Sequence, residues 1–135
     1  MRVILVIVFC FCASGVYAGA RDTITDVYKG MLPAKGCKGI ATILSLRHVK
    51  YADDGSFTLT EQYCNNPKAN VITGTWTVLR GDASDENATV IELWDEVAKR
   101  GLRHYLRLKG GSIKMLDNDL RAIKAKGNYI LKKIK

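Results

Sequence analysis

Histidine and proline are scarce in this chain, and their scarcity narrows the functions open to it. The 135 residues include two histidines and two prolines. With no Gly-x-Ser-x-Gly motif and no carboxylate pair near either histidine, the sequence offers no catalytic triad. It contains no linker, repeat or low-complexity stretch that would divide it. We therefore expect one domain that is not an enzyme.

A long apolar run is missing as well. Residues 3–13 form the longest run, about half of the ~20 residues that a membrane-spanning helix needs. Arg2 precedes it, and a Val-x-Ala sequence ending at position 18 fits the site that signal peptidase reads. We predict a cleavable signal peptide over residues 1–18 and a single domain over residues 19–135. The domain is expected in the periplasm or secreted, without a transmembrane anchor.

Removal of a signal peptide would leave two of the four cysteines. Cys10 and Cys12 lie in the apolar run without a small-residue lipobox, so lipid anchoring is not expected. Cys37 and Cys64 remain, and an isolated pair in an oxidising compartment most often forms one disulfide. Such a bridge stabilises a fold by ~3 kcal/mol. A free Cys37, flanked by lysines, would instead be a reactive thiol.

Helical periodicity is hard to find in the remaining residues, whereas short alternating segments separated by Asn, Asp and Gly recur along the chain. Such segments are typical of an antiparallel sandwich or barrel. Closure of a barrel removes the free strand edges that recruit other chains. We predict an all-β fold, a small antiparallel β-barrel of about eight short strands. The predicted strands cover residues 27–31, 39–49, 57–60, 71–79, 89–94, 102–108, 113–116 and 128–132.

Three local features refine this interpretation. Asp53-Asp54-Gly55 predicts a tight turn, because Asp-Gly tolerates positive φ. Gly74 within a predicted strand indicates a bulge or a sharp bend of the barrel. Residues 92–100 could alternatively form a helical turn.

From Tyr28 onward the chain resembles the N-terminal domain of NlpE-type envelope lipoproteins, often labelled copper-resistance or copper-homeostasis proteins. That family begins with Tyr-x-Gly-x-Leu-Pro before a Cys-x-x-Cys motif and a strand of alternating leucines. Later pieces are a turn with an aromatic strand, Gly-x-Trp, a Leu-Asp turn and a closing Tyr-x-Leu. The corresponding segments here are residues 28–33, 37–40, 54–63, 74–76, 115–117 and 129–131.

The resemblance implies a lipocalin-like β-barrel in the bacterial envelope, with roles in envelope-stress signalling, surface sensing and copper handling, none of them enzymatic. Ala34 replaces the first cysteine of the family motif, which weakens a dithiolate metal role. The anchoring lipobox cysteine is also missing, and the second domain that some members carry is not expected. A free periplasmic protein is therefore expected.

Copper is the one cofactor that the sequence leaves open. Thiolate, thioether and imidazole groups favour Cu(I), and the candidate ligands are Cys37, Met31 and His104. His104 shares strand parity with Leu102 and Leu106 and is expected to face inward, whereas His48 is expected at the surface near a turn. The alternative is that the cysteines are bonded and the methionines only pack, because no two candidate ligands have the spacing of a local motif.

Three further expectations concern binding. Phe57, Tyr63 and Trp76 could line a cavity in the barrel, although side chains could instead fill the interior. The segment 99–135 carries twelve Lys or Arg residues against two Asp residues. This charge excess suits a solvated face or an acidic partner, and no nucleic-acid-binding motif accompanies it.

Taken together, the sequence predicts a non-enzymatic periplasmic protein that acts in envelope-stress sensing or copper homeostasis through binding, with an envelope protein or a small ligand as partner. The alternatives are a lipocalin-like carrier of a small hydrophobic ligand, or a secreted basic protein that binds an acidic partner or surface.

Overall fold

The computed structural model describes residues 22–135, so the predicted signal peptide lies outside the described residues. Eight strands make up the described chain, and each overlaps one of the eight that the sequence predicts. No helix occurs among the described residues, and none of them forms a helix that is long and apolar enough to cross a membrane. The strands are β1 (Thr23–Leu32), β2 (Ile40–Val49), β3 (Asp54–Tyr63), β4 (Asn70–Arg80), β5 (Thr89–Asp95), β6 (Arg100–Arg107), β7 (Ile113–Leu116) and β8 (Ile130–Lys133).

Each strand pairs antiparallel with the next, and β8 pairs with β1, which closes the barrel that the sequence predicts. The ladder between β1 and β2 is long, running from Thr23 opposite Val49 to Leu32 opposite Ile40. The closing ladder is much shorter, with Tyr28 opposite Lys133 as one of its two pairs. Closure leaves no free sheet edge among the described strands.

Apolar side chains fill the middle of the barrel. Alternate residues of each strand point inward, as the period of two requires. The alternative of a filled interior is therefore the one that the structure shows. The inward residues that form this core are Tyr28, Leu32, Leu44, Leu46, Phe57, Leu59, Trp76, Ile91, Leu93, Tyr105, Ile113 and Leu131.

The tight turn expected at Asp53-Asp54-Gly55 lies a few residues earlier. Tyr51 has the positive φ, 65°, and Gly55 is already part of β3. Gly55 is required for another reason, because a Cβ there would collide with the carbonyl oxygen of Arg47 and approach the Trp76 indole nitrogen at 3.0 Å.

Gly74 marks no bulge, and the alternative of a helical turn over residues 92–100 was also wrong. Gly74 pairs regularly with Phe57, whose ring covers the space of the missing side chain, and a Cβ would lie 2.8 Å from Phe57 Cε1. The irregularity lies on the neighbouring strand, between Leu93 and Trp94. Residues 92–100 form no helical turn, because β5 continues to Asp95 and a turn at residues 96–99 leads into β6.

Candidate functional site

One end of the barrel opens into a cavity of about 580 Å³, which we call the barrel mouth. It lies beside the turn between β2 and β3, and side chains from five of the strands converge on it. The apolar core stops short of this end, so charged and aromatic groups take its place. The lining residues are Ile24, Asp26, Leu46, His48, Lys50, Tyr51, Ala52, Asp53, Trp76, Arg107 and Lys133.

Asp26 is the centre of a hydrogen-bonded network in the barrel mouth. Its Oδ2 atom lies 2.8 Å from His48 Nε2, and its Oδ1 atom accepts a hydrogen bond from Lys133 Nζ at 2.9 Å. The other ring nitrogen of His48 lies 2.9 Å from the carbonyl oxygen of Val49. Both ring nitrogens of His48 therefore lie within hydrogen-bond distance of an oxygen atom.

Burial, hydrogen bonds and neighbouring charges shift the pKa values of three groups at the barrel mouth. Burial acts to raise the pKa of Asp26, but hydrogen bonds from Lys133 and His48 outweigh it and hold the pKa below the ordinary value. The hydrogen bond to Asp26 likewise raises the pKa of Lys133. Burial, reinforced by the Asp26 charge, raises the pKa of the nearby Tyr28 phenol. Asp26 therefore stays ionised and paired near neutral pH.

His48 also contacts Trp76, which forms the apolar wall of the barrel mouth. The two rings meet edge to face with centroids 5.7 Å apart, a favoured geometry for aromatic pairs. The Trp76 indole nitrogen donates to the carbonyl oxygen of Arg47 at 3.3 Å. The His48 side chain is only 12% exposed. The expectation of a surface histidine was therefore wrong, because the strand pairing turns its side chain into the barrel.

A second cavity, the disulfide groove, lies on the outside of the barrel near the ends of β1, β2 and β3. It measures about 450 Å³. Cys64 lines it and is joined to Cys37 by the predicted disulfide, with the two Cα atoms 6.0 Å apart. Met31 and Tyr63 line it as well, and both are exposed. The groove therefore combines sulfur atoms, an aromatic ring and apolar surface.

The residues expected to line one cavity lie in three different places. Trp76 lines the barrel mouth, Tyr63 lines the disulfide groove, and Phe57 is part of the filled core. The structure therefore does not bring these three aromatic side chains together.

The candidate copper ligands are likewise only partly brought together. Met31 and the Cys37–Cys64 bridge lie at the disulfide groove, but His104 does not line it. Within residues 22–135, no group of three or more His, Cys, Asp or Glu side chains is arranged to hold a metal ion.

His104 faces outward, contrary to expectation. Its neighbour Arg103 reaches across the barrel interior to Glu61 at 3.4 Å, and Tyr105 belongs to the core, so the residue between them points away. His104 Nε2 lies 2.8 Å from Glu92 Oε2, opposite it on β5. Its Nδ1 atom is buried and has no hydrogen-bond partner among the described residues.

Sequence reasoning missed the polar pairs that cross the barrel. Glu61 alternates with Phe57 and Leu59 along β3, and this parity places its carboxylate inside. That signal was present in the sequence. Its partner Arg103 lies 42 residues away along the chain, so only the closed barrel reveals the pair.

Comparison with known proteins finds a matching family and a related protein. The family described as the NlpE N-terminal domain matches residues 28–126. Among curated proteins, Lipoprotein NlpE of Escherichia coli strain K12 is 30% identical over 107 residues, which cover 77% of this chain and 39% of that protein. The chain thus spans well under half the length of this curated relative. No solved structure gives a significant match.

Proposed function

Because this chain belongs to the NlpE N-terminal domain family, we propose that it is a non-enzymatic envelope protein that acts by binding, in copper homeostasis or envelope-stress sensing. The name of its relative, a lipoprotein, supports a location outside the cytoplasm. The predicted signal peptide supports a periplasmic or secreted protein.

The environments of the histidines support a binding role. Each pairs with one carboxylate, His48 with Asp26 and His104 with Glu92. Among the described residues, however, the ring nitrogens that have hydrogen-bond partners face carboxylate or carbonyl oxygens, and not a hydroxyl or thiol group that a histidine could activate as a nucleophile.

The disulfide groove is the observation that carries the copper part of the proposal. Reduction of the bridge would free two thiols beside the exposed thioether of Met31. Three soft sulfur donors favour Cu(I). In the oxidised protein the same cysteines are bonded to each other and offer no thiolate. Copper binding would then depend on the thiol state, with His104 outside the ligand set.

Titration with Cu(I) against a chromophoric chelator tests this part. We expect the reduced protein to take Cu(I) from the chelator and the oxidised protein to leave it. Cys37→Ser should abolish binding in the reduced protein, and Met31→Leu should weaken it. Met115→Leu, which changes a methionine packed against the core instead, is the matched control. Equal binding by reduced wild type and Cys37→Ser, or none by either, would remove copper from the proposal.

The barrel mouth favours a second candidate function, that of a carrier for a small ligand. A cavity of about 580 Å³ with both apolar and charged walls lies within the usual range of ligand sites, roughly 300–1,000 Å³. This candidate does not depend on the cysteines.

A further inference from the structure

We infer that the barrel mouth binds a small amphipathic anion, which carries one carboxylate or phosphate group on an apolar body. This inference rests on the carrier function just proposed and names its ligand class. The wall of the cavity has two different parts: it is apolar toward the core and cationic toward the rim.

The inner wall is suited to an apolar body. Leu46 and Trp76 are 1% and 3% exposed, and both belong to the core on which the cavity rests. Ile24 extends this apolar wall toward the rim. Apolar ligand surface that contacts these side chains leaves water, which favours binding at about 25 cal/mol per Å².

The charges at the mouth do not cancel. Lys50, Arg107 and Lys133 face the cavity against two carboxylates, and His48 sits between two oxygen acceptors. One of the carboxylates, Asp26, is already paired with both Lys133 and His48. The other, Asp53, is exposed and makes no ion pair within the described chain. The mouth therefore keeps an excess of positive charge.

Two cations of the mouth make no ion pair among the described residues: Lys50, which lies over the Tyr51 ring, and Arg107, which we assign to the ligand. Arg107 is the last residue of β6, and its parity with Tyr105 points its side chain toward the inside of the barrel end. In residues 22–135 no carboxylate forms an ion pair with it. Its charge nevertheless reaches Tyr28, whose pKa it acts to lower. The planar guanidinium group binds carboxylate and phosphate oxygens in pairs, so it selects an anion.

The ligand class follows from the two walls together. A neutral amphiphile would use the apolar wall but leave Arg107 without a partner. A cationic amphiphile would be repelled by the excess charge, since Asp26 is occupied. An anionic headgroup at Arg107 with an apolar body against Trp76 satisfies both walls. Because the rim is open to water, added salt should weaken this binding.

Trp76 provides a direct reporter of occupancy. The chain has two tryptophans, so a Trp94→Phe background leaves only the indole that lines the mouth. We would titrate this protein with decanoate, decyl phosphate, decanol and decyltrimethylammonium below their critical micelle concentrations, following fluorescence and heat of binding. We expect saturable binding of the two anions, at least about tenfold tighter than that of decanol, as expected for a charge-assisted hydrogen bond. The cation should not bind.

Arg107→Gln tests the assigned residue, and Arg100→Gln is the matched control, an exposed arginine at the opposite end of the same strand. The first change should weaken anion binding about tenfold and leave decanol unaffected, whereas the second should change neither. The difference between decanoate and decyl phosphate identifies the preferred headgroup.

Two results would overturn the inference, and they can be told apart. Equal binding of decanol and the anions, or equal behaviour of the two arginine variants, would leave a carrier without anion selectivity. No binding of any probe to a protein with a native circular dichroism spectrum would remove the carrier function as well. Neither result affects the copper proposal, which concerns the disulfide groove.

Discussion

Asp26 shows how one residue couples the barrel mouth to pH. Its carboxylate is only 21% exposed, and it accepts hydrogen bonds from two side chains on different strands, His48 of β2 and Lys133 of β8. These partners hold its pKa in the folded protein below the ordinary value of 3.8. A carboxyl group whose pKa is lowered by folding stabilises the folded state wherever it is ionised in that state.

We therefore expect an acid-dependent loss of stability that Asp26→Asn removes. In the wild type the Asp26 contribution is fully present above pH 3.8 and is lost as the pH falls through the lowered pKa. Urea unfolding of both proteins between pH 6 and pH 2 measures this. The difference in the free energy of unfolding should be largest near neutral pH and should shrink below pH 3.8.

Asp119→Asn, at an exposed turn position whose carboxylate makes no ion pair among the described residues, is the control. If the curves of the wild type and Asp26→Asn stay parallel down to pH 2, the ionisation of Asp26 is not linked to the stability of the fold.

On the scale of single strands, β4 packs closely against the Phe57 ring because Gly74 has no side chain. A Cβ at residue 74 would collide with the carbonyl oxygen of Trp94 and with this ring. A side chain at this position must displace an aromatic ring of the core or the neighbouring backbone. Overpacking of this kind costs typically 1–3 kcal/mol.

Gly74→Ala should accordingly lower the free energy of unfolding by about 2 kcal/mol, measured by chemical denaturation. Thr73→Ala changes the adjacent exposed residue and should have a much smaller effect. An unchanged or raised stability of Gly74→Ala would show that Phe57 moves aside without cost.

Strand positions could be predicted because their signals are local. Alternation along β3 and β4 and the turn residues between strands depend on neighbours in the chain. The predicted bounds agree fully for β7, residues 113–116. It was harder to predict which side chains of β6 point into the barrel. The apolar residues Leu102 and Leu106 suggested that their side of the strand is the inner one. Arg103 instead faces Glu61 inside, and the outer face near His104 is itself buried beside Leu116.

For the whole molecule, the disulfide is the covalent constraint on the barrel. It links the segment after β1 to the segment after β3, 27 residues apart, at the rim that carries the disulfide groove. Its main effect in the chain-entropy model is on the unfolded state, since a loop of this size restricts the unfolded chain.

Cys37→Ser/Cys64→Ser should therefore retain the barrel and lose ~3 kcal/mol of stability. Far-ultraviolet circular dichroism checks the fold, and guanidinium unfolding measures the loss. The reduced wild type is the control, and it should match the double variant. A double variant as stable as the oxidised wild type would show that the bridge serves only the groove.

The sequence by itself predicted the eight strands and the barrel class, because repeated local patterns are enough for these, and its ordered motifs resembled those of the family. The bond between Cys37 and Cys64 was one of two alternatives, and the structure shows that it forms. Tertiary structure alone decided which polar groups meet. Asp26 and His48 come from the consecutive strands β1 and β2, whereas Arg107 and Lys133 come from the distant strands β6 and β8, and the closure of β8 onto β1 brings all four to one mouth. Registers between distant strands are set by packing over the whole barrel, so no local segment of the sequence encodes that site.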